Sequence, residues 1–242
     1  MHVEQYGEGS RTFLAIHGWG GTHRDFIPLA RRMPEDARLL AVDLPGYGQS
    51  PAPEEWDFSA ITAELVRILI DRELTGVTLI GFCSGALLAL MAAEMAPERV
   101  ARVVLIDPFA YLPWYFRLFT LGLPGRLLYR MTFASSIGRR IATTILRRKQ
   151  RTDDNFLGAF EKVDHGAALK WLKLFGDLGR EDRIAKTRLP VDIAQGERTF
   201  AAVHASVRQY RRWLPQARVT VLRDSGHLPL VRGVKQLAKL LF

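Results

Sequence analysis

Val77-Thr78-Leu79-Ile80-Gly81-Phe82-Cys83-Ser84-Gly85-Ala86-Leu87-Leu88-Ala89-Leu90 is the stretch on which the fold turns. Its first four residues form a short apolar run of the kind that makes a buried strand, and its last five are good helix formers. Where a strand passes straight into a helix the chain turns sharply, and the side chain at the apex stands free to attack a bound molecule. Such a turn crowds its own neighbours, so the residues two before and two after the apex must be small; Gly81 and Gly85 meet this requirement around Cys83. The bland reading of the same spacing is a buried packing cysteine between two incidental glycines.

Working outward, short apolar runs alternate with helical patterns. Residues 12–16, 39–42, 77–80 and 103–106 read as strands, while 58–74 carries Ile61, Leu65, Ile68 and Leu69 at helical spacing and 86–96 forms helix throughout. Alternation of this kind predicts an α/β fold with a mostly parallel central sheet flanked by helices. From 109 to 186 the strand signal gives way to helical, aromatic and arginine-rich sequence. Alternation then resumes with strands at 191–194 and 219–222 and helices at 201–213 and 234–242. The expected organisation is a core built from 1–108 and 187–242, with 109–186 inserted as a helical lid after the strand that ends at Asp107.

A chain of 242 residues with 48% hydrophobic content fits one such core plus an insertion. One cysteine excludes an internal disulfide. The sequence Met1-His2-Val3-Glu4-Gln5-Tyr6-Gly7 has neither the basic head nor the apolar run of a signal peptide, and the apolar region 111–133 is broken by Pro113, Arg117, Pro124, Arg126 and Arg130, so a cytoplasmic protein without a transmembrane segment is expected. The net charge is +9, and residues 117–151 hold many basic side chains and no acidic one. That field attracts anions such as coenzyme A, an acyl carrier protein or an anionic membrane surface, unless it is only a solvated arginine face. Nucleic acid is disfavoured, because no zinc-finger spacing or RNA-binding aromatic motif accompanies the charge. No ligand cluster or phosphate-binding glycine loop implies a metal or organic cofactor.

Four motifs stand in the order found in the α/β-hydrolase superfamily, which the chain resembles over nearly its whole length: His17-Gly18-Trp19-Gly20-Gly21, the run Asp43-Leu44-Pro45-Gly46-Tyr47-Gly48-Gln49-Ser50, the Cys83 turn, and Asp224-Ser225-Gly226-His227. The resemblance implies the α/β-hydrolase fold, with Cys83 as nucleophile and His227 as its base. It further implies that the backbone N–H groups of Trp19 and Ser84 form an oxyanion hole, where each donor lowers the barrier by roughly 3 kcal/mol, and that His17 props the loop it begins. His2, His23, His165 and His204 lack such a context.

The third catalytic member is where the sequence departs from the family. The usual acid lies about three residues after the glycine that ends the strand following the lid, and Gly196-Glu197-Arg198-Thr199 offers threonine there, with Glu197 two residues out of place. Asp107 is the better replacement, because some relatives carry their acid after that earlier strand, although an aspartate before Pro108 also suits a plain turn. A thiol is far more acidic than a hydroxyl and depends less on an oriented base, so cysteine and the loss of the usual aspartate are compatible. Dienelactone hydrolases of the same superfamily are similar in placing cysteine at this turn but differ in lid and loops.

The expected function is hydrolysis, or acyl transfer, of carboxylic esters or thioesters through an acyl-cysteine. Phe109, Trp114 and Phe116 are the expected contacts for an apolar acyl chain. The other reading is a hydrolase-like binding protein or receptor whose pocket survives and whose chemistry is impaired at Thr199.

Overall fold

In the computed structural model, which describes residues 1–150, 155, 157–177 and 187–242, the described residues form a seven-stranded sheet in the order β1-β3-β2-β4-β5-β6-β7. The strands are β1 (Val3–Tyr6), β2 (Arg11–Ile16), β3 (Ala37–Val42), β4 (Val77–Phe82), β5 (Val100–Ile106), β6 (Val191–Gly196) and β7 (Arg218–Leu222). All neighbours run parallel except β1, which pairs antiparallel with β3 from Val3↔Val42 to Tyr6↔Leu39. β1 is not anticipated from the sequence. Four residues, three half-buried and one exposed, give too short an alternation to register.

Ten α-helices surround the sheet: α1 (Ile27–Ala30), α2 (Phe58–Asp71), α3 (Gly85–Met95), α4 (Trp114–Arg117), α5 (Gly122–Tyr129), α6 (Ser136–Gln150), α7 (His165–Asp177), α8 (Ala201–Trp213), α9 (Pro229–Arg232) and α10 (Val234–Leu241), among the described residues. Asp57 caps α2 by accepting from the Ala60 N–H at 2.8 Å. α2 stops at Asp71, short of the expected 74, because Glu73 turns into the left-handed region with φ 52°.

Period-two alternation sorts the strands between two hydrophobic clusters. Leu14 and Ile16 of β2 face α2, α3 and α8, while Phe13 and Ala15 face α1, α9 and α10. From β2 the chain passes outward to β3 and then returns to β4 on the other side of β2. The connections therefore diverge at the carboxyl ends of β2 and β4, and a crevice at such a reversal is where open α/β sheets bind ligands. Cys83 follows β4 at that crevice.

The helices α4 to α7 lie between β5 and β6, within the segment expected to be inserted. Two tryptophans tie them to the loops of the core. The Trp171 indole on α7 donates to the Pro45 carbonyl at 2.8 Å, and the Trp19 indole in the loop after β2 donates to the Ala168 carbonyl at 2.7 Å. No helix of the described residues is long and apolar enough to cross a membrane.

Candidate active site

The turn after β4 is built as its glycines require. Cys83 sits at φ 55°, a left-handed conformation that costs a side-chain-bearing residue roughly 1–2 kcal/mol. A Cβ on Gly81 would lie 2.5 Å from the Ala86 Cα, and one on Gly85 would lie 2.4 Å from the His17 carbonyl oxygen. Neither can be accommodated without moving backbone. Gly18 belongs to the same constraint, since a Cβ there would fall 2.6 Å from that of Cys83.

Asp107 adopts the second strained turn, at φ 47° just past β5. Its side chain is fully buried and amply satisfied. One carboxylate oxygen accepts from the Gly196 N–H at 2.7 Å; the other accepts from the Thr199 hydroxyl and from Nδ1 of His227 at 2.7 Å. Thr199 therefore occupies the place after β6 where the family's acid is expected, and it reaches both partners, lying 3.4 Å from the same Nδ1. Asp107 and Thr199 meet because β5 and β6 are neighbours in register, Ile106 opposite Ala194. Glu197 instead accepts from the Asp224 N–H at 3.0 Å, away from the imidazole.

The Cys83 side chain shares the cavity with the His227 imidazole and interacts with it electrostatically. Burial alone would push the imidazole toward its neutral form, but the hydrogen bond to Asp107 and that carboxylate's charge, with the Cys83 side chain acting in the same sense, prevail and raise its pKa to about 10. The shift favours the protonated ring beside Asp107. Phe82, Phe109 and Phe200 surround it, with ring centroids at 5.8, 5.4 and 4.7 Å.

His17 has a different environment. Its Nε2 accepts from the Leu44 N–H at 2.9 Å, so the proton belongs on Nδ1, which donates to the Gly18 carbonyl at 2.7 Å. Burial lowers its pKa to about 4 and keeps it neutral. It joins the loop after β2 to the loop after β3. His23, which the sequence left without a context, is also structural: its Nδ1 lies 2.9 Å from both oxygens of the buried Asp43.

Trp19 and Ser84 come together, but through a bond the sequence does not suggest. The Trp19 backbone N–H donates to the Ser84 hydroxyl at 2.9 Å. That donor faces the crevice already engaged, and it would have to pass from the hydroxyl to an oxyanion, or be shared between them.

A cavity of about 560 Å³ opens over these groups and is lined by Cys83, Ser84, Trp19 and His227. Its remaining wall is largely apolar, with Leu87, Phe133 and Phe160 alongside Phe109 and Phe116. Trp114 does not belong to this wall. It is 73% exposed, whereas Tyr115 and Phe116 line the cavity, because consecutive residues of the single-turn α4 point about 100° apart. Asp25, missed in the sequence, also lines the cavity, with its pKa raised to about 6 by burial. Only its position just beyond the glycine-rich loop could have drawn attention to it. Metal-ligand spacing occurs among the described residues at His2, Glu4 and His23, whose donor atoms lie within 4.8 Å of one another, and none of the three lines the cavity.

The model of the Alpha/beta hydrolase family matches residues 13–240. A pimeloyl-[acyl-carrier protein] methyl ester esterase from Aeromonas salmonicida is 25% identical over 253 residues, covering 99% of this chain and 97% of the relative. A protein of the same name from a Neisseria meningitidis serogroup C strain is 37% identical over 97 residues, which is 40% of this chain and 36% of that relative. In structure, an esterase from Exiguobacterium antarcticum superposes with a TM-score of 0.76 at 19% identity, covering 99% of this chain and 93% of that one.

Proposed function

This chain belongs to the alpha/beta hydrolase family, and we propose that it hydrolyses carboxylic esters or thioesters through an acyl-cysteine formed on Cys83. That it is an enzyme of the hydrolase class acting on ester bonds follows from its relatives. The observation that carries the finer reading is one imidazole that meets a buried carboxylate and shares a cavity with the lone cysteine: Nδ1 of His227 is 2.7 Å from Asp107, and His227 and Cys83 line the same cavity and interact.

In this reading the sulfur attacks the substrate carbonyl carbon and the carbonyl π pair moves onto oxygen. The backbone N–H groups of Ser84 and Trp19 receive that oxyanion, the latter released from the Ser84 hydroxyl. As the C–S acyl bond is completed, the bond to the leaving group breaks and the His227 imidazolium gives its proton to the departing alkoxide or thiolate. The imidazole, now neutral, takes a proton from water, whose oxygen attacks the acyl carbon. The acyl C–S bond then breaks with its electron pair returning to sulfur, the acid leaves, and the sulfur regains its pairing with the imidazolium. An acceptor other than water makes the same cycle an acyl transfer.

Asp107 holds the ring in the tautomer that directs Nε2 toward the sulfur, and Thr199 holds Asp107. The helices α4 to α7 act as the lid, with Phe109 and Phe116 against the acyl chain. Carrier-linked thioesters, on coenzyme A or an acyl carrier protein, fall within the substrate class because of the basic run 117–151.

The test is intact-mass spectrometry after brief exposure to activated esters. An acyl adduct on Cys83, absent in Cys83→Ala together with at least about 10⁴-fold of the turnover, is expected. A chain that acquires no adduct and turns over no ester, yet binds the ligand, is a binding protein, the reading Thr199 first suggested.

A further inference from the structure

Folding removes large apolar side chains from water, so those left exposed are informative where they concentrate. Among the described residues fifteen large hydrophobic side chains are exposed, and eleven of them lie between positions 114 and 145. They are ordered as well as numerous. Leu123, Leu127 and Met131 follow at intervals of four along α5 and the turn after it, and Ile137, Ile141 and Ile145 at intervals of four along α6, all between 57% and 78% exposed. Each set forms a stripe along one helical face. Arg126, Arg130, Arg140 and Arg148 of the same segment are exposed as well, and residues 117–151 contain no acid.

This surface is continuous with the cavity. Tyr115, Ile145 and Val231 line the cavity while being 41%, 60% and 58% exposed. The opening above Cys83 is thus rimmed by apolar groups that lie in the open. A second copy of the chain on this face would set arginine against arginine with no carboxylate between. An acidic protein would answer the arginines and leave the isoleucines in water. Anionic headgroups above acyl chains answer both.

We propose that the α5–α6 face docks on an anionic lipid surface and sets the cavity mouth against it, so that an acyl ester enters from the lipid. The docking stands on the surface alone; only the entry of an ester rests on the esterase reading.

The test is flotation of the full chain carrying Cys83→Ala with vesicles of phosphatidylcholine, alone or mixed with phosphatidylglycerol, so that no turnover is needed. Partitioning should rise about tenfold or more with the anionic lipid and fall with added salt. Ile137→Ser with Ile141→Ser should lower it at least about tenfold, and Arg140→Gln with Arg148→Gln should return it toward the neutral-vesicle level. In the chain that keeps Cys83, the same substitutions should leave hydrolysis of a short soluble ester unchanged. Equal binding to both vesicle types, or to neither, overturns the proposal. So does a dimer in sedimentation that the isoleucine substitutions dissolve, or capture of an acidic acyl carrier protein without vesicle binding. Vesicle binding by a chain that turns over no ester leaves the docking intact and removes the esterase reading instead.

Discussion

The ends of strands β2, β4 and β5 and the helical segment that includes α4, α6 and α7 both contribute to the wall of one cavity, and the two regions tolerate change very differently. At the strand ends the backbone is held in strained turns at Cys83 and Asp107, and the neighbouring glycines have backbone atoms where a methyl group would go. On the helical side Gly122 also has a positive φ, 50°, but nothing lies within 4 Å of where its Cβ would be, and isoleucines and leucines stand in solvent. Under the proposed mechanism, the atoms that meet a reacting carbonyl are those placed where nothing can give. Under the same proposals, the atoms that meet a substrate chain or another surface lie where side chains can be exchanged without disturbing the backbone.

The sharpest attempt to break this contrast is Asp107→Asn. It keeps the volume and removes the carboxylate charge beside Nδ1 of His227, so turnover of a model ester should fall by roughly 10³-fold with the fold intact by circular dichroism. A loss under tenfold would mean that the Cys83–His227 pair works without its carboxylate.

Stability gives the next comparison. Gly85→Ala drives a methyl group into the His17 carbonyl and should cost about 3 kcal/mol or more in denaturant unfolding, whereas Gly122→Ala should cost about 1 kcal/mol, through its φ alone. Equal costs would remove the distinction between the two regions.

The pH dependence isolates the strand side. His227 has its pKa raised from 6.5 to about 10 in the folded chain. Its contribution to stability is therefore complete below pH 6.5, declines above it, and is lost as pH rises through about 10. The thermal midpoint should fall across that window, and the fall should be shallower in Asp107→Asn.

The smallest expected effect is that of Thr199→Ala. It removes one of the donors to Asp107 while the Gly196 N–H and His227 remain, so turnover should drop by about three- to tenfold, in line with roughly 1 kcal/mol for a single buried hydrogen bond. Restoration by Thr199→Ser would attribute the effect to the hydroxyl.

The six parallel strands were legible in the sequence because each is a short apolar run between turn residues, and the Cys83 turn because two glycines at fixed spacing have one strong steric reason. β1 escaped notice, being four residues long and only partly buried. That Asp107 stands beside His227, 120 residues away, could be suspected only through family precedent, since an aspartate before a proline reads equally well as a turn. The meeting of Thr199 with that carboxylate depends on the pairing of β5 with β6, which one sequence does not display. Trp114 was misjudged for a different reason: a run of aromatics shows that a surface is apolar but not which ring faces inward.

The chain's single cysteine also has a consequence under oxidative stress. A sulfenic acid formed on Cys83 has no second thiol within the chain with which to close a disulfide, and further oxidation to the sulfinic state would be lasting. Repair falls to a thiol from outside, and that reductant must reach the sulfur through the same apolar mouth that admits the substrate. A bound acyl chain would thus shield the sulfur from oxidant and reductant alike.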